Sequence, residues 1–242
     1  TPAATFSQAD IAAETERLNQ WFEKKYEEQL QFSPIQLTFQ GRKDRYGELD
    51  DMSEKAALDQ VAWKKASVEE MEKTFDYTKL SDEAKLSYDL WKLQYENARD
   101  GVPFMVDGYA FDQMNGAQSF LPTLLINFHK VYEESDYTAY ISRLNASARG
   151  LDQLLEQARK SAAQGVRPPK FAYEGVIDQS RKVITGAPFS AGPDSAIWAD
   201  AQAKADALVK GGKISAERGT ELKEEARKAL LEQFKPAYER VI

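Results

Sequence analysis

Apolar side chains recur every three or four residues along most of the chain, which is the spacing of one face of an α-helix. The clearest stripe lies near the N-terminus, and Ser7 stands before it as a helix cap. Its members are Ile11, Thr15, Leu18, Phe22, Tyr26 and Leu30. Comparable stripes follow to the end of the chain. The pattern predicts an all-α fold, an irregular multi-helix bundle of about eight to ten helices.

Serine and proline mark where several predicted helices begin. Ser33-Pro34 has the order of an N-cap followed by proline at the first helical position. Ser81 and Ser135-Asp136 are further predicted helix starts. The helix after Ser81 carries apolar residues on two faces and is therefore expected to be buried on both. Pro236 lies inside the last stripe and should kink that helix.

The stretch from Gly101 to Gly116 interrupts the helical pattern. It is apolar and punctuated by glycine, which predicts a loop or one short β-hairpin near residues 102–112. Residues 1–6 are predicted to be a flexible tether, and 7–242 a single helical domain. Because the chain starts at Thr1 and its last apolar stripe still continues at Ile242, we expect the N-terminal part of a longer protein. A last helix that ends at a natural terminus is the open alternative.

Charge and composition exclude several classes of protein. The net charge is −7, so a nucleic-acid partner, which requires a basic face, is not expected. The longest stretch without a charged side chain, residues 113–129, is too short and too polar to span a membrane. The absence of cysteine excludes disulfides and thiolate metal sites.

The sequence lacks the usual catalytic motifs. His129 is the single histidine, so a site with two histidine ligands cannot form. His129 precedes Glu133 by four residues and could act as an oriented general base, but a local ion pair or a capped core histidine is favoured. The carboxylates of Glu48, Asp50 and Asp51 could bind a hard cation, but an interaction with a helix N-terminus is favoured. We therefore assign no catalytic residue, no metal ligand and no cofactor to this chain.

The segment from Gly101 to Gly116 is the best candidate for a binding site. Irregular segments on a rigid scaffold often line clefts. This one gathers polar side chains among aromatic residues: Asp107, Tyr109, Asp112, Gln113 and Asn115. The alternative, which the residues alone favour, is a surface loop pinned by Phe104 and Phe111.

A set of short segments follows in a characteristic order: Ser33-Pro34 with Gly41, Tyr46-Gly47-Glu48-Leu49-Asp50-Asp51-Met52-Ser53, Asp112-Gln113-Met114-Asn115-Gly116-Ala117-Gln118, Leu121-Pro122, Tyr137-Thr138-Ala139-Tyr140-Ile141-Ser142-Arg143-Leu144, Leu151-Asp152-Gln153, and Gly165 with Pro168-Pro169. In this order the chain from about Phe32 onward resembles the N-terminal half of the bacterial domain of unknown function 885 family, whose members are often envelope lipoproteins. The family resembles helical zinc metallopeptidases. Its zinc helix, of the His-Glu-x-x-Pro-Gly-His type, belongs to the C-terminal half, so no catalytic residue carries over and zinc is expected only in a full-length parent.

The resemblance also implies where a substrate lies. Gln113, Asn115 and Gly116 match the family's pattern and are expected to face a substrate channel. With Asp107 they form the predicted substrate-binding set. The implied partners are the C-terminal half of the same protein and a peptide ligand. The implied location is the periplasm or cell envelope, with the membrane reached only through a lipid anchor of the parent.

Two functions remain open at this point. The first is a non-catalytic N-terminal half of an envelope lipoprotein, which forms a scaffold or a wall of the substrate channel. The second is a stand-alone helical binding module without enzymatic activity. Whether the parent is an active hydrolase is left undecided.

Overall fold

The computed structural model describes residues 5–242, and within them the chain forms ten α-helices and no β-strand. The helices are α1 (Gln8–Leu30), α2 (Pro34–Phe39), α3 (Glu54–Thr74), α4 (Asp82–Gly101), α5 (Ala117–Thr123), α6 (Glu134–Ala163), α7 (Lys170–Val183), α8 (Ala196–Lys210), α9 (Ala216–Ala229) and α10 (Lys235–Val241). The predicted all-α fold of about eight to ten helices is confirmed. The predicted tether, residues 1–6, lies mostly outside the described residues.

The β-hairpin considered near residues 102–112 is wrong. Val102–Asp107 is a 3₁₀ turn that follows α4 directly, and residues 108–116 form an irregular loop. Pro103 lacks the backbone N–H that a strand needs for its ladder. A right-handed 3₁₀ turn at a helix end places no such demand on it.

The helix starts agree with the cap residues in most places. The side chains of Ser7, Ser33, Ser81 and Ser215 accept hydrogen bonds from backbone N–H groups in the first turns of α1, α2, α4 and α9. The start predicted at Ser135-Asp136 needs correction. Glu133 is the N-cap of α6, and Asp136 is its third residue, whose carboxylate accepts the N–H of Glu133 at 3.1 Å. The acidic side chain therefore caps from within the helix, as in a capping box.

The described helices divide into two compact units, whereas the sequence predicts one domain. The first unit contains the described residues up to Phe32 together with Glu54–Met105. Its core is aromatic at the centre, with the Trp21 ring 5.6 Å from Trp91 and 5.8 Å from Phe75. The predicted burial of both faces of α4 is wrong. Tyr88 is buried, but Leu86 is 60% exposed on the other face.

The second unit contains Ser33–Ser53 and Val106–Ile242. The central helix is α6, whose buried residues Tyr137, Tyr140, Leu144 and Leu151 belong to one large apolar core. None of the helices in residues 5–242 combines the length and the hydropathy needed to cross a membrane.

Two π-turns occur in this unit, each near a proline. The kink predicted at Pro236 takes the form of a π-turn at Leu230–Phe234, between α9 and α10. Pro236 has no N–H to donate to the carbonyl four residues earlier, and the wider turn accommodates that defect. The other π-turn, Leu124–Phe128, follows α5 and ends at His129, whose N–H donates to the Leu124 carbonyl at 3.0 Å.

Candidate functional site

An apolar cavity of about 280 Å³ opens on the second unit between α6, α7 and the loop that follows the 3₁₀ turn. This size accommodates one or two apolar side chains rather than a ligand of drug size, which needs roughly 300–1,000 Å³. Most lining residues are apolar. The full set of lining residues is Gly108, Tyr109, Ala110, Phe111, Leu155, Ala158, Ser161, Ala162, Val166, Pro168, Ala172, Tyr173, Val176, Ile177, Val241 and Ile242.

Small residues on two helices create the space. Ala158 and Ala162 are four apart on α6 and therefore lie on the same face, one turn from each other. Ala172 faces the cavity from α7. A larger side chain at any of these positions would occupy the cavity, so we assign its volume to this small-residue pattern.

The loop forms one edge of the cavity and is held by a single aromatic anchor. Phe111 is buried in the core of the second unit, whereas Phe104 is 65% exposed. The pinning expected from both aromatic residues is therefore supplied by Phe111 alone. The loop residues Gly108–Phe111 face the cavity.

Two tyrosines stand at the cavity with exposed rings. Tyr109 is 48% and Tyr173 is 44% exposed, and neither hydroxyl group hydrogen-bonds to any described residue. A tyrosine hydroxyl both donates and accepts a hydrogen bond. The site therefore combines an apolar interior with two polar groups that a ligand can use.

The four predicted substrate-binding residues lie beside this cavity in the chain, but none of them lines it. Asp107 is exposed at the end of the 3₁₀ turn. The N–H of Asn115 donates to Asp112 Oδ1 at 2.7 Å, and the carbonyl of Gln113 accepts from Gln179 Nε2 at 2.9 Å. These contacts shape the turn that leads into α5.

Gly116 is buried at the N-cap of α5 with φ −66°, a value open to any residue. Its requirement for glycine comes from packing. A Cβ atom there would lie 2.0 Å from Gln118 Oε1 and 2.5 Å from the Asp112 carbonyl oxygen. Gln118 in turn donates to that carbonyl at 2.6 Å, so the loop closes tightly around the glycine.

The segment singled out in the sequence supplies one edge of the cavity, whereas the helical side of the cavity was not predicted. Tyr109 was among the polar residues gathered in the segment. Tyr173, Ala158, Ala162 and Ala172 were not identified. The spacing of four between the two α6 alanines is a signal in the sequence, but it is equally typical of close helix packing.

His129 belongs to a separate buried network in the same unit. Its Nε2 lies 2.8 Å from the Asp136 carbonyl oxygen, and its Nδ1 lies 3.1 Å from Arg143 Nη1. Because a carbonyl can only accept and a guanidinium can only donate, Nε2 carries the proton and Nδ1 accepts. Tyr46 stacks on the imidazole with ring centroids 4.0 Å apart. His129 therefore does not pair with Glu133, and both ring nitrogens are engaged within the fold.

Burial sets the protonation state of this network. It lowers the pKa of His129 from 6.5 to about 3, so the imidazole is neutral at physiological pH. It also lowers the pKa of Arg143 to about 10, which leaves the guanidinium charged at physiological pH. Burial opposes ionisation of Asp136, but hydrogen bonds from Lys43 and from the amides of Tyr132 and Glu133 keep its pKa below the ordinary value. These groups hold the fold together, and none is poised to exchange protons near pH 7.

A partly buried ion pair between Asp200 and Lys204 lies on the other side of Tyr140. The Tyr140 hydroxyl donates to Asp200 Oδ2 at 2.9 Å, and burial raises its pKa well above the ordinary value. Lys204 Nζ contacts the same carboxylate at 2.5 Å and donates to the Leu125 carbonyl at 2.8 Å. That carbonyl belongs to the π-turn before His129, where the regular helical bonding pattern is broken. The lysine thus satisfies a backbone group that the π-turn leaves free.

The acidic cluster after α2 is divided among separate structural bonds. Asp50 accepts from the Ile35 N–H at 3.0 Å at the start of α2. Asp51 accepts from the Ser53 N–H at 3.0 Å just before α3. Glu48 pairs with Arg45 at 2.8 Å. In residues 5–242 no three His, Asp or Glu side chains are gathered as metal ligands, so the zinc implied for a longer parent does not fit the described residues.

Fold and site together define an all-helical protein whose second unit contains an apolar cavity and, apart from it, a buried polar network. The sequence profile of a family described as bacterial protein of unknown function (DUF885) matches residues 34–242. The chain belongs to this family, as the order of its short segments predicts. No curated protein matches the sequence.

One solved structure shares the fold. It is the crystal structure of the putative lipoprotein from Colwellia psychrerythraea, with a TM-score of 0.68 and 14% sequence identity. The match covers 98% of this chain but 40% of that protein. This chain therefore spans less than half the length of its structural neighbour.

Proposed function

We propose that this chain is the non-catalytic helical part of an envelope lipoprotein related to zinc metallopeptidases, and that its apolar cavity is part of the wall of a peptide-binding channel. The observation that carries the proposal is the cavity itself. It joins an apolar interior to two tyrosine hydroxyls that make no hydrogen bond to a described residue. A peptide offers the matching chemistry, an apolar side chain next to backbone amides.

The length of the structural neighbour supports the wider context. Because this chain matches 40% of that protein, a further segment is available to complete the channel in a parent of similar length. We propose that this segment is the partner of the chain and carries the zinc. The neighbour's description as a lipoprotein supports a periplasmic or envelope location, reached through a lipid anchor of the parent.

A matched pair of substitutions on α6 tests the cavity. Ala162 lines the cavity, whereas its neighbour Ala163 is exposed and does not. We expect the chain to bind acetyl-Leu-Ala-amide with a Kd on the order of 0.1–1 mM, measured by titration calorimetry, and acetyl-Ser-Ala-amide much more weakly. Ala162→Phe should weaken binding of the leucine peptide about tenfold or more, because the new ring fills the cavity. Ala163→Phe should not change it.

Equal effects of the two substitutions, or equal affinity for the two peptides, would show that the cavity does not bind the apolar side chain of a peptide. The wider context has its own test in the parent protein. We expect bound zinc and peptide hydrolysis there, and Ala162→Phe should raise KM without removing the zinc. Zinc or peptide hydrolysis in the 242-residue chain alone would contradict a non-catalytic role.

A further inference from the structure

A second pocket, of about 320 Å³, opens on the surface of the second unit. It lies between the end of α2 and the segment that joins the Leu124–Phe128 π-turn to α6. It shares no lining residue with the apolar cavity. The two pockets are therefore separate candidate sites.

Aromatic rings form the walls of this pocket and are left open to water. Phe39 is 39% exposed and Phe128 is 45% exposed, and their rings meet edge to face with centroids 4.8 Å apart. Tyr132 adds a third ring at the pocket and is 65% exposed. Covering such surface is favourable at about 25 cal/mol per Å² of apolar area. The walls thus match the flat or apolar body of a ligand.

The charged residues that line the pocket are both basic, although the chain as a whole carries a net charge of −7. Lys43 and Lys130 both line the pocket. Lys43 is already paired with Asp136 at 2.8 Å. Lys130 has no carboxylate within ion-pair distance among the described residues, so its ammonium group is free to receive an anion.

A third positive charge lies behind the pocket floor. Thr38 and Tyr46 line the floor, and the fully buried guanidinium of Arg143 is in contact with both. It donates to Thr38 Oγ1 at 2.7 Å and lies 5.1 Å from the centre of the Tyr46 ring. Its other hydrogen bonds run to the neutral imidazole and to backbone carbonyls. No carboxylate among the described residues contacts this guanidinium directly, but those of Asp50 and Glu48 act on it through space and offset part of its charge. The remaining positive potential reaches a pocket with low-dielectric walls.

We propose that this pocket binds a small organic anion that carries a ring, with its carboxylate at Lys130 and Lys43 and its ring packed against the exposed surface that Phe39 and Phe128 form together. The concave shape favours a small molecule over a flat membrane surface. The unpaired lysine and the buried guanidinium favour an anion over a neutral ligand. The proposal is independent of the peptide channel, because the two pockets have separate linings.

The probe is 2-naphthoate, with neutral 2-naphthalenemethanol as its uncharged counterpart, titrated against the whole chain by ligand-observed NMR and calorimetry. We expect the anion to bind at least about fivefold more tightly than the alcohol, and salt to weaken it. Lys130→Gln and Phe128→Ala should each weaken naphthoate about threefold to tenfold. The matched controls are Lys210→Gln and Phe171→Ala, which change exposed residues elsewhere and should leave the affinity unchanged.

Three results would overturn the proposal. The first is equal affinity for the acid and the alcohol. The second is an unchanged naphthoate affinity in Lys130→Gln, a change of an exposed side chain that should not affect folding. The third is association with vesicles containing phosphatidylglycerol without any binding of free naphthoate, which would assign the surface to a membrane. Ala162→Phe should not affect naphthoate binding, so this proposal and the peptide channel can fail separately.

Discussion

The single histidine makes the buried network directly measurable. Burial lowers the pKa of His129 from 6.5 to about 3 in the folded protein. As the pH falls below 6.5, the unfolded chain therefore takes up a proton that the folded protein does not accept until about pH 3. The free energy of unfolding is unaffected by this group above pH 6.5, and falls by about 1.4 kcal/mol per pH unit between pH 6.5 and 3.

The expected loss between pH 7 and pH 5 follows from these two values. In the unfolded chain the imidazole is protonated in nearly all molecules at pH 5 and in about a quarter of them at pH 7. This proton uptake lowers the free energy of unfolding by about 2 kcal/mol over the interval. Urea unfolding at the two pH values measures it. His129→Gln removes the titrating group, so the variant should lose about 2 kcal/mol less than the native chain over the same interval. Other titrating groups contribute to both proteins and cancel in the difference.

Proton NMR provides an independent check, because the chain has one imidazole and hence one Cε1–H resonance of this kind. We expect its chemical shift to stay constant between pH 8 and pH 5. A titration midpoint near 6.5 would show that the ring is open to solvent and would refute the network as described. An identical pH dependence of stability in the native chain and in His129→Gln would refute the linkage argument.

Two further changes test the packing around the sites. Gly116→Ala should destabilise the fold by about 2–3 kcal/mol, because its Cβ would overlap a buried side-chain oxygen and a backbone carbonyl, whereas Gly108→Ala meets open space and should cost under about 0.5 kcal/mol. Urea unfolding of both variants decides this, and equal costs would contradict the packing argument. Tyr140→Phe should cost about 1–2 kcal/mol by leaving a partly buried carboxylate with one hydrogen bond fewer, and a fall in stability of that size should appear in the same assay. A neutral effect would show that water replaces the hydroxyl.

Local patterns in the sequence predict much of the fold. The stripe that ends at Leu30 and the caps at Ser7 and Ser33 place α1 and α2, because spacing and capping act over a few residues. The start of α6 is missed, since Glu133 does not resemble a usual N-cap and acts with Asp136, three residues later. Leu86 is apolar and nevertheless exposed, because a pattern reports hydrophobicity and not whether a neighbour covers it.

The candidate site shows the same division. Composition directs attention to the segment after Gly101, and Tyr109 in this segment does stand at the cavity. The opposite wall comes from α6 and α7, and Tyr173 meets Tyr109 at one cavity only through the path of the intervening helices. Pairing over such distances depends on tertiary packing, which a local pattern cannot report.

The sequence by itself determined the helical class, the family and the absence of a two-histidine metal site, because each depends on residue identity and short-range order. Only the tertiary structure decided the state of His129, which burial and Arg143 keep neutral. It alone also brought Lys130 to one pocket with Phe39 and Phe128, with the buried Arg143 guanidinium behind the residues that line it. Burial and long-range proximity arise when distant segments pack together, and for this reason the two pockets, rather than any motif, carry the proposals for function.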